Sequence, residues 1–276
     1  LLLNTHFTPR HRKIKIYLAK RKLRQNQKII LISTQLIEAG VDIDFPVLYR
    51  DFATVPSIVQ SAGRCNRNGK LEFGQVKLFK LENKGKIRSE LIYRGKDKEI
   101  LDLTKQAFFE KRYEEKNLIK VQKEFFNRIQ SELNFAKHDQ TFPRLEFDFL
   151  KDIEECMYDK IGQFRLIDKQ LYGEEVRYYV PRNNQDCKFE FLLELQEKLI
   201  SLLKANSNND LIRLKKKRIE FHLRSMANNI IQIRLKPNQN RPLLGNEKDY
   251  FGLYKIELNS YYFESGINLN IGGFIL

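Results

Sequence analysis

The chain has 276 residues, 42% of them hydrophobic, and carries 50 Lys and Arg against 35 Asp and Glu for a formal net charge of +15. That hydrophobic share supports a packed core; no apolar run approaches the roughly 18 residues that span a bilayer, and there is no secretory leader pattern, so a cytoplasmic protein without membrane partners is expected. Cys65, Cys156 and Cys187 are distant, odd in number and without a CxxC pair, which suits reduced thiols better than a disulfide framework or a zinc site.

The excess charge favours polyanionic partners through counterion release. Its distribution is uneven, with 13 Lys and Arg against 4 Asp and Glu in residues 1–70. A lysine-heavy composition alone also makes such surfaces, so charge ranks nucleic acid first without identifying it.

Leu1 to Leu3 begin abruptly as an apolar strand already inside a fold, which suggests a piece of a longer protein. Thr8-Pro9 caps a basic helix from Arg10 to Arg24. Lys28 to Ser33 (KIILIS) and Val47 to Tyr49 (VLY) are apolar runs suited to a parallel sheet covered on both faces. Thr54 to Cys65 reads as a helix with Pro56 in its first turn, and Gln75 to Leu81 as a further strand. Strand and helix alternate, the pattern of an α/β layer. From Asp97 to Phe135 no Gly or Pro intervenes, so one long helix or two in tandem is expected, with Phe108, Phe109, Phe125 and Phe126 in the core.

Beyond it, Asp148 to Lys160 and Phe189 to Lys204 read as helices, and Phe164 to Asp168 and Val176 to Val180 as extended. Leu211 to Ala227 is a basic helix containing Lys215-Lys216-Lys217-Arg218 that could track a phosphate backbone, although such faces are usually only solvated. Ile230 to Leu235, Gly252 to Leu258 and Tyr261 to Phe263 suggest terminal β hairpins. Tyr178-Tyr179 and Tyr261-Tyr262 are candidates for stacking on bases, against the commoner role of half-buried core.

Two segments carry chemistry. Ser33-Thr34-Gln35-Leu36-Ile37-Glu38-Ala39-Gly40-Val41-Asp42-Ile43-Asp44 leaves a strand end, the usual address of sites in parallel sheets. Ser33 and Thr34 offer hydroxyls to a phosphate backbone, Gly40 permits close approach, and Asp42 can accept from a ribose or an arginine. Some 20 residues on, Gln60-Ser61-Ala62-Gly63-Arg64-Cys65-Asn66-Arg67 places an amide and two guanidinium groups near the face and end of a helix. Planar guanidinium forks meet phosphate oxygens and neutralise charge that spreads during phosphoryl transfer. A basic helix end complementing its own dipole is the plainer alternative.

TQLIEAGVDIDF with QSAGRCNR resembles motifs V and VI of superfamily 2 helicases, and more narrowly the CRISPR-associated helicase-nuclease of type I systems. Asn4 to Arg12 (NTHFTPRHR) and Val47 to Phe52 (VLYRDF) extend the resemblance; Phe164 to Asp168, the basic helix near Leu214 and Tyr262 to Ile267 extend it more weakly to the C terminus. The resemblance implies a RecA-like parallel sheet with flanking helices over 1–95, a long linker helix region over 96–150 and a smaller α+β accessory domain over 151–276. It implies an ATP-dependent motor on single-stranded DNA, with an HD nuclease domain outside these residues and the Cascade surveillance complex as partner. Thr34 and Ser33 would touch the DNA backbone, joined by Arg12 and His6 unless these are structural. Asp42 would link nucleotide and strand, Gln60 would position water, and Arg64 and Arg67 would serve the γ-phosphate. A non-catalytic DNA- or Cascade-binding subunit and a generic nucleic-acid remodelling helicase are the competing expectations.

The phosphate-cradling GxxxxGK[ST] loop is missing: Gly63 to Leu71 (GRCNRNGKL) has one residue too many before Gly69-Lys70, and Leu71 stands where a magnesium-binding hydroxyl is needed. No acidic box of Asp-Glu-x-His type is present. ATP with Mg is therefore expected to bind only jointly with the missing first RecA-like domain, and no metal to be held by this chain alone.

Overall fold

The computed structural model describes residues 1–38, 40–93, 96–108, 112–132, 149–158, 173–205, 208–235, 241–242, 244–245 and 249–269. In chain order these contain β1 (Leu2–Leu3), α1 (Pro9–Arg24), β2 (Ile32–Ser33), β3 (Val47–Asp51), α2 (Val55–Ala62), β4 (Gln75–Phe79), β5 (Glu82–Asn83), β6 (Lys86–Ile87), α3 (Arg88–Ile92), α4 (Lys96–Ala107), α5 (Glu115–Glu132), α6 (Phe149–Glu154), β7 (Glu175–Tyr179), α7 (Lys188–Lys204), α8 (Asn209–Met226), β8 (Ile230–Arg234), β9 (Asp249–Tyr250), β10 (Leu253–Lys255), β11 (Tyr261–Tyr262) and β12 (Gly266–Ile267). No helix of the described residues is long and apolar enough to cross a membrane.

The chain divides into two compact units, Leu1–Leu36 with Ile167–Leu276, and Ile37–Leu166. This division does not coincide with boundaries at 95 and 150. The cause is long-range burial in the first unit: Phe7, fully buried, shares a core with Tyr178, Ile231, Ile233, Tyr261 and Ile267. The amide of Ile267 donates to the His6 carbonyl at 3.1 Å, and Lys13 Nζ to Asn228 Oδ1 at 3.2 Å.

The centre of the first unit is a mixed four-stranded sheet in the order β8-β7-β10-β9, parallel only between β7 and β10. Successive residues of β7 face opposite sides. Tyr178 therefore enters the core that contains Phe7, whereas Tyr179 enters one with Phe189, Leu192, Leu195, Ile219 and Met226 of α7 and α8. Both tyrosines are satisfied internally, Tyr178 donating to the Pro242 carbonyl at 2.9 Å and Tyr179 to Asp186 Oδ2 at 2.8 Å. At 1% and 0% exposed they offer no face to a base, which removes them as stacking candidates; Tyr261 is 9% and Tyr262 48% exposed. Asn208 caps α8 through its side chain, which accepts from the Asp210 amide.

In the second unit, β3 and β4 form a parallel pair, Val47 to Asp51 aligned with Gln75 to Phe79. The α2, α4 and α5 helices bury Val55, Leu103, Ala107, Val121 and Phe125 together. Of the one long helix or two in tandem expected from Asp97 to Phe135, the described residues hold two, α4 and α5, which fold onto α2. Amphipathic faces meeting at Leu103 and Val121 bury more apolar surface than a straight rod could. Phe125 is core, but Phe126 is 52% exposed, because neighbouring helix positions lie about 100° apart.

The mixed α/β class is as expected. One continuous parallel sheet is not formed by the described residues: β1–β2 and β3–β4 are separate pairs. Of the expected strand Lys28 to Ser33, only Ile32–Ser33 pairs with β1, and Ile30 and Ile32 remain 79% and 64% exposed. The expected helix Asp148 to Lys160 is observed as α6, which is shorter; Phe164 to Asp168, Phe109 and Ala39 lie outside the described residues.

Candidate functional site

The later part of the first chemistry-bearing segment, from Ile37 onward, meets the second segment within the second unit. The α2 helix starts with Pro56 in its first turn and ends at Ala62, with Gly63 as its cap. Arg64 and Arg67 consequently sit on the turn that follows the helix rather than on its face. That turn is tight: the Arg64 amide donates to Ser61 O, Cys65 to Ala62 O, and Asn66 adopts a positive φ of 47°. The Asn66 side chain closes it, Nδ2 donating to Leu71 O at 2.8 Å and Oδ1 accepting from the Leu71 amide at 3.0 Å.

Arg64 reaches from this turn to the loop that precedes β3. Its Nε donates to the Ile37 carbonyl at 3.0 Å and its Nη2 to the Glu38 carbonyl at 2.7 Å. A rigid fork is suited to holding two successive carbonyls at once. The two loops are also stitched through the backbone, Phe45 N donating to Arg64 O at 3.0 Å and Asn66 N to Phe45 O at 2.8 Å.

Arg67 behaves differently. Its Nε lies 3.6 Å from Asp42 Oδ1, and the two side chains are 41% and 74% exposed. Gln60 is exposed at the last turn of α2, and Gly40 is exposed with φ +71°, where a side chain would be strained. Gly40, Asp42, Gln60, Arg64 and Arg67 all belong to this one unit. Ser33, Thr34 and Arg12 belong to the other. There, Ser33 Oγ donates to the Thr34 carbonyl at 2.9 Å, Thr34 is exposed, and Arg12 is half-buried on α1 near Tyr261.

Two acids whose roles the sequence does not announce organise the site. Glu38, 10% exposed, accepts from Arg50 Nη2 at 2.9 Å, from Ser57 Oγ at 2.9 and 3.0 Å and from Ser61 Oγ at 3.4 Å. It ties the first loop to β3 and α2 simultaneously. Asp44 accepts from the amides of Arg67 at 2.8 Å and Asn68 at 3.2 Å, and from Asn68 Nδ2 at 2.9 Å. Two N–H groups of this glycine-bearing turn, those of Arg67 and Asn68, are therefore taken by a carboxylate of the chain itself. Cys65 packs under it, Sγ 3.4 Å from Gln75 O, and burial pushes its thiol pKa up, away from a reactive thiolate.

An arginine fork that locks one loop, and a second, exposed arginine paired with Asp42 of that loop, is an arrangement in which phosphate can be met from one side. Sequence comparison finds a likeness in one part of the chain: residues 1–70 match the family model described as "CRISPR-associated nuclease/helicase Cas3, C-terminal". The CRISPR-associated nuclease/helicase Cas3 of Haloferax volcanii is 46% identical over 66 residues, 24% of this chain and 7% of that protein. Its counterpart from Methanothermobacter thermautotrophicus is 34% identical over 88 residues, 31% of this chain and 10% of that protein. The resemblance read from TQLIEAGVDIDF and QSAGRCNR thus holds as one to the C-terminal part of the Cas3 helicase-nucleases.

Among solved structures, T. fusca Cas3-ADP aligns with a TM-score of 0.48 and 13% identity, covering 92% of this chain and 32% of that one. A chain of "CRISPR RNA-guided surveillance complex, pre-nicking" aligns with a TM-score of 0.43 and 15% identity, covering 92% and 33%. The chain therefore spans a tenth or less of the curated relatives it matches and about a third of these solved chains.

Proposed function

We propose that this chain is the C-terminal motor half of an ATP-dependent single-stranded DNA translocase acting in CRISPR interference. In this reading its second unit closes a nucleotide site whose phosphate-binding loop lies in another part of the protein. The reading rests on the similarity of residues 1–70 to Cas3 nuclease/helicases, and the observation that carries it is the unequal use of the two arginines.

The residues fit one side of a nucleotide only. Exposed Arg67 and Gln60 offer a cation and an amide, while the GRCNRNGKL turn has given its Arg67 and Asn68 amides to Asp44. ATP with magnesium, held jointly with the phosphate-binding half, would supply the phosphoryl group whose transfer drives movement along DNA. Arg64 then acts as the positioning residue, keeping the 37–44 loop against the end of α2. Arg67 neutralises negative charge at the terminal phosphate. Its pairing with Asp42 does not prevent this: an exposed ion pair contributes only about 0–1 kcal/mol, far less than a guanidinium gains on a phosphate sheltered from water. Asp42 parks the guanidinium until nucleotide arrives. Gln60 orients the attacking water, and Ser33 and Thr34, with Arg12, contact the DNA backbone from the other unit.

The test is turnover by the full-length protein. It should hydrolyse ATP with strong stimulation by single-stranded DNA, whereas the 276-residue chain alone should show none. Equal stimulation by RNA, or turnover by the isolated chain, would contradict the reading.

A further inference from the structure

The α8 helix buries Ile219 and Met226, 3% and 1% exposed, against α7 and the central sheet. Its opposite side carries Leu214, Lys217, Phe221 and Arg224, which follow each other at spacings of three, four and three residues. That spacing aligns them in one stripe. The stripe is bare: Leu214 is 63% and Phe221 76% exposed, and Lys217 and Arg224 are exposed as well. Arg213 and Glu220 border it, and Arg218 turns aside to lie 5.6 Å above the Phe191 ring.

We propose that this stripe is a binding face for single-stranded nucleic acid, with Phe221 stacking on a base and Lys217 and Arg224 holding phosphates on either side of it. Three features select this occupant. The helix carries six Lys and Arg against Asp210 and Glu220, so the face complements a polyanion. A partner helix would need a continuous apolar seam, but Lys217 interrupts the line between Leu214 and Phe221. A single strand instead presents charged phosphates and flat base faces in alternation, which is the order of side chains found here. A duplex keeps its bases stacked on one another and leaves a protruding phenylalanine nothing to stack on.

This contact lies outside residues 1–70 and needs no nucleotide, so it stands or falls separately from the motor reading. The measurement is anisotropy of a labelled oligothymidylate of about 20 nucleotides titrated with the 276-residue chain over a salt series, without ATP. Lys217→Ala should weaken binding and lower the slope of log affinity against log salt by about one. Phe221→Ala should weaken it about fivefold or more at unchanged slope, and Phe221→Tyr should retain it. These positions are exposed, so unfolding temperatures should stay at the parent value and separate loss of contact from loss of fold. Parent-like binding by both alanine variants would overturn the proposal. So would a duplex of equal length binding as tightly and indifferently to Phe221→Ala, the mark of general charge attraction. An acidic amphipathic peptide whose binding depends on Phe221 while the oligonucleotide's does not would overturn it in favour of a protein-docking face.

Discussion

Arg64 donates to the main-chain carbonyls of Ile37 and Glu38 at 3.0 and 2.7 Å, so a side chain from one motif sets the backbone of the other. Charge-assisted hydrogen bonds of this kind contribute about 1.5–3 kcal/mol each at most. Arg64→Ala should lower stability by about 2 kcal/mol, measured by denaturant unfolding. Arg64→Lys should recover little, because an ammonium cannot span both carbonyls. Full recovery by lysine would show that charge alone matters there.

Glu38 and Arg50 form a largely buried pair, 10% and 19% exposed, and the Glu38 carboxylate also receives Ser57 and Ser61. Removing the acid leaves the guanidinium in a place poorly served by water. Glu38→Gln should cost about 3 kcal/mol or more, and the double change with Arg50→Met should cost less than the single one. A single-variant loss under about 1 kcal/mol would mean that solvent already screens the pair.

Gly266 opens β12 at φ +84°, and a Cβ there would come within 2.8 Å of the His6 carbonyl oxygen. The left-handed conformation costs a non-glycine residue about 1–2 kcal/mol before any clash. Gly266→Ala should therefore lower stability by about 2 kcal/mol or more and weaken the seating of residues 1–8. Hydrogen exchange at the Ile267 amide, which donates to that carbonyl, reports this directly.

His11 stacks on Tyr261 at 5.4 Å, with Nδ1 2.8 Å from the phenol oxygen, and meets Phe263 edge-on. Burial, then Arg10 and Lys15, hold its pKa below the usual histidine value, and burial lowers that of His6 likewise. The unfolded chain therefore binds protons more readily than the folded one. Stability should be full above the ordinary histidine range and should fall as pH drops below about 6.5. Unfolding temperatures at about pH 7.5 and 5.5 test this, and His11→Gln should shrink the difference. A protein more stable in acid would contradict the assignment.

Elements governed by local pattern were readable in advance. Thr8-Pro9 marks the start of α1, which runs Pro9–Arg24, and apolar periodicity places α7 and α8 within two residues of their observed ends. What escaped the sequence depends on distance along it. Phe7 packs with residues more than 170 positions away, and nothing local announces that β1 and α1 belong with the last 110 residues. Glu38 is a hub because Arg50, Ser57 and Ser61 lie 12, 19 and 23 positions further on, converging only once β3 and α2 are folded. The helix expected through Cys65 ends at Ala62 for a local reason, leaving Arg64 on the following turn with Arg67: Gly63 caps α2 early, and Asn66 turns the chain with a positive φ.

The division of labour between the two arginines is tested most directly by DNA-stimulated ATP turnover of the full-length protein bearing Arg67→Ala, set beside its unfolding temperature. Turnover should fall by about a hundredfold or more, while stability stays near the parent value because only an exposed ion pair with Asp42 is lost. Turnover retained within about threefold, less than 1 kcal/mol of barrier, would contradict a phosphate-facing Arg67.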